Sequence, residues 1–344
     1  MPAFDLTPEG RSKRMLQLAL FIASIAWILA AQALAARAAR GIALALNLGM
    51  ERFLLSSIFF LFLLWLGFSI LQAISLGPVP TRVLLGLPKR PTARREWALG
   101  AAIGWGGIVA AVLPMALART LHVRFWTEPR AFELAFINVL TLAVAALAEE
   151  VAFRGYPFRR LIEAAGPAKA TILMAIFFGM LHMLNPDANW VSVLITMLAG
   201  VLLSIAWLRT HGLWVAWGLH FAWNASMGVL FGLPVSGLAN FSTVVQTRAV
   251  GRDWLTGGDY GPEAAMLTGV VLLVAIAVLV RVTRDYAWDY TYSPGVPGGY
   301  PLEARPPAAH TAMEQQAQQA RPAPLVQILP ATPQSPPASD DPKG

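Results

Sequence analysis

Three charged side chains lie close together in an otherwise apolar stretch of the chain. The segment LAEEVAFRG, residues 147–155, contains Glu149, Glu150 and Arg154, and it follows the uncharged run FINVLTLAVAA. Burying charge in a bilayer is costly, so ionisable residues in a spanning segment usually mark a functional site. Glu150 and Arg154 are four residues apart, share a helix face and can form an ion pair. Glu149 points about 100° away, so it stays available as a general base. The alternative is that all three residues form a clamp between helices.

Two later apolar segments also carry polar side chains at helical spacing. FFGMLH places Phe178 and His182 four residues apart, and HFAWN does the same for His220 and Asn224. With a rise of about 1.5 Å per residue, Glu149 and these polar groups lie roughly 12 to 20 Å from the cytoplasmic helix ends. Groups at one depth on three helices can converge, so the spacing predicts a single intramembrane cavity.

The composition excludes an ordinary soluble domain. Of the 344 residues, 56% are hydrophobic and 13% are charged, and the mean hydropathy is +0.57; soluble domains carry about 25% charged residues. Cysteine is absent, which excludes disulfides, cysteine-bound zinc and thiol catalysis. The net charge of +7 comes from short basic runs beside apolar segments, which is typical of membrane-flanking anchors and does not indicate a nucleic-acid partner.

The apolar segments predict an all-α polytopic membrane protein with about eight transmembrane helices around a catalytic cavity. A spanning helix needs roughly 20 apolar residues. Gly100 and Gly104 form a GxxxG pattern that favours close helix packing. The eight predicted segments are residues 15–36, 52–76, 97–118, 132–154, 170–184, 190–208, 212–232 and 263–283.

These segments divide the chain into four predicted parts. Residues 1–131 hold helices one to three, 132–232 a catalytic core, 233–285 a loop and the eighth helix, and 286–344 a disordered tail rich in proline, glutamine and alanine. Lys and Arg are more frequent on the flanks that lie inside when the N-terminus is cytoplasmic. We therefore expect both termini in the cytoplasm of a bacterial inner membrane. AQALAARA resembles a signal-peptidase site, but the preceding apolar run favours a retained helix.

The ordered set of motifs resembles the CPBP family of intramembrane proteases, which includes the type II CAAX prenyl endopeptidases. The residues that carry this resemblance follow the patterns E-E-x-x-x-R, F-x-x-x-H and H-x-x-x-N, and they are Glu149, Glu150, Arg154, Phe178, His182, His220 and Asn224. The resemblance implies a peptide hydrolase whose substrate is a membrane protein or a membrane-associated peptide.

The resemblance also implies a role for each motif residue. Glu149 with His182 would position and deprotonate a water molecule, and His220 with Asn224 would stabilise the oxyanion. Glu150, Arg154 and Phe178 would surround these four catalytic residues and fix their geometry. A metal-free mechanism is favoured, although zinc bound by Glu149, His182 and His220 stays open. The sequence lacks H-E-x-x-H, the usual helical pattern of zinc proteases.

Two other classes of function are compatible with the same residues. A proton-coupled transporter also places carboxylates and histidines inside the membrane, but the sequence has no evident internal repeat of the kind that many transporters show. A non-catalytic membrane scaffold would not need the complete set of motif residues. The sequence selects neither a cleavage site nor an oligomeric state.

Overall fold

A computed structural model describes residues 8–283, and within this range the fold is almost entirely helical. The predicted tail at residues 286–344 lies outside the described residues. The long helices and their shorter companions follow one another as α1 (Pro8–Ala45), α2 (Glu51–Leu76), α3 (Thr81–Leu84), α4 (Ala93–Leu117), α5 (Pro129–Arg154), α6 (Tyr156–Ala165), α7 (Pro167–His182), α8 (Trp190–Thr210), α9 (Trp214–Ala225), α10 (Asp253–Thr256) and α11 (Met266–Val282).

Each of the eight predicted segments contains a helix, but only five stretches are long and apolar enough to cross a membrane by themselves. They are Glu9–Ala45, Glu51–Leu76, Ala93–Leu117, Pro129–Ala165 and Trp190–Thr210. The fifth and eighth predicted segments form the shorter apolar helices α7 and α11. The seventh forms α9, which ends at Ala225 and continues as a single π-helical turn, Ser226–Leu230. The protein is therefore a multi-pass membrane protein with five candidate spans among the described residues.

The helices pack into two apolar cores that meet along α5. One core joins α1, α2, α6 and α7, and it includes Val151 of α5. The other joins α4, α8, α9 and α11, and it includes Leu142 of α5. Since α5 also carries Glu149 and Glu150, the central charged residues lie where the two cores meet.

Glycines allow α4 and α9 to touch backbone to backbone. A Cβ atom at Gly100 would lie 2.0 Å from the Val215 carbonyl oxygen, and one at Gly104 would lie 2.2 Å from that of Leu219. Real atoms cannot approach so closely, so any side chain at either position would force the helices apart. The predicted packing role of the GxxxG pattern is confirmed.

A break between α5 and α6 turns the chain immediately after Arg154. Gly155 lies at this junction, and a Cβ there would lie 2.3 Å from the Val151 carbonyl oxygen. Pro157 is in the first turn of α6, where its missing N–H costs nothing. The helix of the fourth apolar segment therefore ends at Arg154, and a separate helix, α6, begins at Tyr156.

A small antiparallel ribbon was not predicted. Strand β1 (Leu121–Phe125) pairs with β2 (Val245–Ala249), and the register joins Leu121 to Ala249 and Phe125 to Val245. The ribbon connects the loop that follows α4 with the long segment between α9 and α11, which also contains three short 3₁₀ turns.

Candidate active site

A fully buried ion pair lies at the C-terminal end of α5. An Nη atom of Arg154 lies 3.2 Å from Oε1 of Glu150, and neither side chain is exposed. The same guanidinium donates a hydrogen bond to the Gly200 carbonyl of α8. The predicted pairing four residues apart is thus confirmed, and it ties α5 to α8.

His220 of α9 lies between the two glutamates. Its Nδ1 atom is 2.8 Å from Oε1 of Glu150, and its Nε2 atom is 3.8 Å from Oε2 of Glu149. Because an ionised carboxylate only accepts, Nδ1 carries the hydrogen and Nε2 faces Glu149. The sequence grouped Glu149 with His182, whereas the structure brings Glu149 beside His220. The contact between His220 and Glu150 was not predicted.

The two glutamates have different environments although they are neighbours in sequence. The Glu150 side chain is fully buried and that of Glu149 is 35% exposed. Oε2 of Glu150 has no hydrogen-bond partner among residues 8–283. Glu150 is therefore part of the buried framework, while Glu149 is open to whatever enters the cavity beside it.

Phe178 of α7 covers the cluster on another side. Its ring centroid lies 4.5 Å from the guanidinium carbon of Arg154, 4.5 Å from the ring of His182 and 6.3 Å from that of His220. The backbone carbonyl of Phe178 accepts a hydrogen bond from Nδ1 of His182 over 2.8 Å. This bond assigns the proton to Nδ1, so the Nε2 atom of neutral His182 is an acceptor.

All four predicted catalytic residues line one cavity of about 630 Å³. Glu149, His182, His220 and Asn224 come from three different helices, and Phe178 borders the same space. Other parts of the wall come from α1, α2 and α8 and from the segment between α9 and α11. The structure thus places these side chains around one cavity.

One acidic residue of this cavity was missed by the sequence argument. Glu263 accepts hydrogen bonds from the Ser236 backbone N–H and hydroxyl, over 2.7 and 2.8 Å, and from Nε1 of Trp223, over 3.1 Å. Trp223 directly precedes Asn224, so Glu263 ties the end of α9 to the loop around Ser236, which also lines the cavity. In the sequence, Glu263 stands at the start of the eighth predicted segment, where a charged residue is typical of a membrane flank. No other feature of the sequence indicated that it belongs to the site.

The zinc alternative does not fit the geometry. Within the described range, no group of three histidine, aspartate or glutamate side chains is arranged to hold a metal ion. Glu149, His182 and His220 border the same cavity without forming such a group. We therefore derive no step through a metal.

A carboxylate–histidine cluster beside a cavity, held by buried membrane helices, defines a site with the groups needed for acid–base chemistry. Residues 131–226, the part that supplies all of these groups except Glu263, match the family model described as type II CAAX prenyl endopeptidase, Rce1-like. This segment is thus a domain of that family, known as CPBP, and the match indicates a peptide hydrolase. No curated protein and no solved structure matches the chain.

Proposed function

We propose that this protein is an intramembrane endopeptidase that hydrolyses a peptide bond of a membrane-associated protein or peptide. The observation that carries the proposal is His220, held by Glu150 and facing Glu149 at the wall of a cavity. The family match over residues 131–226 supports the same reaction.

Glu149 is the base that activates water in this proposal. Its carboxylate is the exposed member of the glutamate pair and lines the cavity. A water molecule that donates one hydrogen to Glu149 can donate the other to Nε2 of His182, which is an acceptor in the neutral ring. The water oxygen attacks the substrate carbonyl carbon while its proton passes to Glu149.

His220 and Asn224 stabilise the negative oxygen that this attack creates. With both glutamates ionised, Glu149, Glu150 and Arg154 carry one uncompensated negative charge, which a protonated His220 neutralises. Nε2 of that ring then donates to the oxyanion, as does the side-chain amide of Asn224. When the tetrahedral intermediate collapses, the C–N bond breaks and Glu149 returns its proton to the leaving amine.

The membrane arrangement that fits this function has eight crossings. The helices α7, α9 and α11 would complete the five long candidate spans. Both termini would then lie in the cytoplasm of a bacterial inner membrane, as the loop charges indicate. The cavity would accept substrate within the bilayer, between the N-terminal helices of residues 1–131 and the core of residues 132–232.

The experiment that tests the proposal compares two conservative substitutions on the same helix. A deletion strain is rescued with wild type, Glu149→Gln or Glu133→Gln, and the N-terminal peptides of its membrane and secreted proteins are quantified. Glu133 is an exposed residue of α5 paired with Arg130, so its variant controls for expression and charge. We expect an uncleaved precursor to accumulate with Glu149→Gln and not with Glu133→Gln.

Different outcomes would support other functions. Full rescue by Glu149→Gln would rule out this mechanism and leave a membrane scaffold. A pH-dependent solute flux in proteoliposomes, lost in Glu149→Gln, would instead identify a transporter. Cleavage of the accumulated precursor by purified protein after stringent chelation is expected to continue. Loss of cleavage together with loss of a stoichiometric zinc ion would overturn the metal-free mechanism.

A further inference from the structure

The ribbon of β1 and β2 has two chemically different faces. Successive strand residues point to opposite sides, so Leu121, Val123 and Phe125 share a face with their partners Ala249, Thr247 and Val245. The other face carries His122 opposite Arg248 and Arg124 opposite Gln246. One face is thus apolar apart from a threonine, and the other is basic with no acidic residue.

The apolar face of the ribbon borders a groove of about 340 Å³. The opposite wall of this groove comes from α4, through residues such as Leu113, and from the turn after α9, through Leu230 and Phe231. Thr247 is the only lining residue with a polar side chain. Large apolar groups here are accessible, with exposed fractions of 51% for Leu113, 58% for Leu230 and 72% for Phe125.

The groove lies beside the C-terminal end of the candidate span α4. The candidate span α4 ends at Leu117, and β1 begins four residues later, at Leu121. Arg119, between them, is exposed, as are Arg124 and Arg248. Arginine side chains extend an apolar stem and place the guanidinium among lipid headgroups. Neither Arg124 nor Arg248 forms an ion pair with another residue of the described range.

The size of the groove favours a single extended chain over a helix from a partner protein. A helix about 10 Å across with a 5.4 Å pitch occupies roughly 420 Å³ per turn. The groove of about 340 Å³ is smaller than one such turn. One acyl chain needs no hydrogen-bonding groups, and the only side chain of the wall that offers one is Thr247.

We propose that the ribbon and groove form a binding site for an anionic phospholipid, separate from the cavity that contains Glu149. The groove holds an acyl chain, and Arg124 and Arg248 bind the negative headgroup around the edge of the ribbon. Each arginine near an anionic membrane surface contributes about 1 kcal/mol. The two arginines therefore favour anionic over zwitterionic lipids, whereas the groove contributes equally to the binding affinity of both.

Native mass spectrometry of the purified full chain in detergent tests this site. The protein is titrated with phosphatidylglycerol, which is anionic, and with phosphatidylcholine, which is zwitterionic and carries the same acyl chains. The double variant Arg124→Gln/Arg248→Gln is compared with Arg37→Gln/Arg40→Gln, which removes two arginines from α1. Thermal unfolding shows whether each variant is folded.

We expect the wild type to prefer phosphatidylglycerol, and the ribbon variant to lose about 30-fold in affinity for it, which corresponds to two arginines at about 1 kcal/mol each. Binding of phosphatidylcholine should not change in that variant, and the α1 variant should behave as wild type. Equal affinity for the two lipids, or an equal loss in the two double variants, would overturn the proposal.

A second variant tests the groove itself. Ala116, on the α4 wall, is exposed and lines the groove, so Ala116→Trp fills the space without disturbing a buried core. This variant is expected to reduce binding of both lipids. Unchanged binding of both would show that the acyl chain lies elsewhere.

Discussion

Two buried ion pairs in this protein have similar chemistry and different surroundings. Arg90 and Glu96 are 2.5 Å apart, with side chains 3% and 0% exposed, and Glu150 and Arg154 are equally buried. Arg90 also donates to the Thr210 carbonyl, and Glu96 accepts from the Thr92 hydroxyl. Within residues 8–283, no other titratable side chain forms an ion pair with that carboxylate. At α5, by contrast, Glu150 is shared with His220, and a second glutamate lies on the far side of that ring.

The comparison distinguishes an ion pair that links two parts of the fold from one that positions a residue of the candidate active site. The Arg90 pair links the segment before α4 to the end of α8, and it does not line the large cavity. The Glu150 pair leaves one carboxylate oxygen without a partner among the described residues and fixes a histidine at the cavity wall. Burial alone therefore does not identify a charged residue as functional. In this protein the contact with His220 and the adjoining cavity identify the Glu150 pair as part of the candidate site.

The largest expected difference between the two regions concerns their histidines. Removing one donor to an oxyanion costs about 10²- to 10³-fold in kcat, and we expect His220→Ala to lose this much cleavage of the precursor. His211, which follows α8 near Arg90, has a positive φ of 48°. Asparagine tolerates that backbone conformation, so His211→Asn should retain wild-type kcat. Equal losses in the two variants would remove the distinction between the regions.

The next expected effect separates stability from activity in the two pairs. Removing one partner of a buried pair costs about 3 to 5 kcal/mol, whereas an apolar replacement of both is often neutral. We expect Arg90→Met and Arg154→Met each to lower the unfolding free energy by about this amount. The doubles Arg90→Met/Glu96→Leu and Arg154→Met/Glu150→Leu should both recover stability, measured by reversible denaturation.

Only the first of these doubles should also keep proteolytic activity. In the second, His220 loses the carboxylate that orients Nδ1, so the variant would be folded and inactive. An active Arg154→Met/Glu150→Leu enzyme would show that the α5 pair is structural, like its counterpart near α4.

A smaller effect is expected from Glu263, which borders the cavity and is joined to α9 through Trp223. A hydrogen bond to a charged group contributes about 1.5 to 3 kcal/mol, so Glu263→Gln is expected to lower kcat by roughly tenfold. KM should change little, because Glu263 positions Asn224 and His220 through α9. Trp223→Phe should have a similar effect, and a change in KM alone would instead indicate direct substrate contact.

The smallest effect is a pH dependence of stability at the Arg90 region. Burial, with a further contribution from the charge of Arg90, lowers the pKa of His211 below its ordinary value. The unfolded chain takes up a proton below about pH 6.5 that folded His211 resists, so stability falls as the pH drops through this range. The thermal midpoint of His211→Asn should therefore decrease less than that of wild type between neutral and mildly acidic pH. Parallel decreases would contradict this.

The sequence predicted the helices and much of the site because both depend on local spacing. Long apolar runs, the pairing of Glu150 with Arg154 and the depth of the polar groups all follow from helix geometry. The number of full crossings was harder to predict, because α9 and α11 are shorter than their predicted segments and α7 has only 16 residues. The first helix is longer than predicted, since its small residues continue it to Ala45.

The contacts that the sequence did not predict all join distant residues. The link between His220 and Glu150 spans 70 positions, and that between Trp223 and Glu263 spans 40. The strands LHVRF and VQTRA are short and more than a hundred residues apart, so neither has a local pattern that indicates its partner. Such pairings depend on how whole helices are placed, which spacing within one helix does not determine.

The backbone contact between α4 and α9 has a consequence for any attempt to isolate the catalytic segment. Gly218 of α9 faces the Trp97 carbonyl of α4, at a distance that admits no side chain. The helix that carries His220 thus packs backbone to backbone against α4, which lies outside residues 131–226. If residues 131–226 were expressed alone, α9 would lose this partner, and the backbone surface at Gly218 would be exposed to lipid. The segment matched by the family model is therefore smaller than the unit that must be expressed to test for activity, because that unit must include α4.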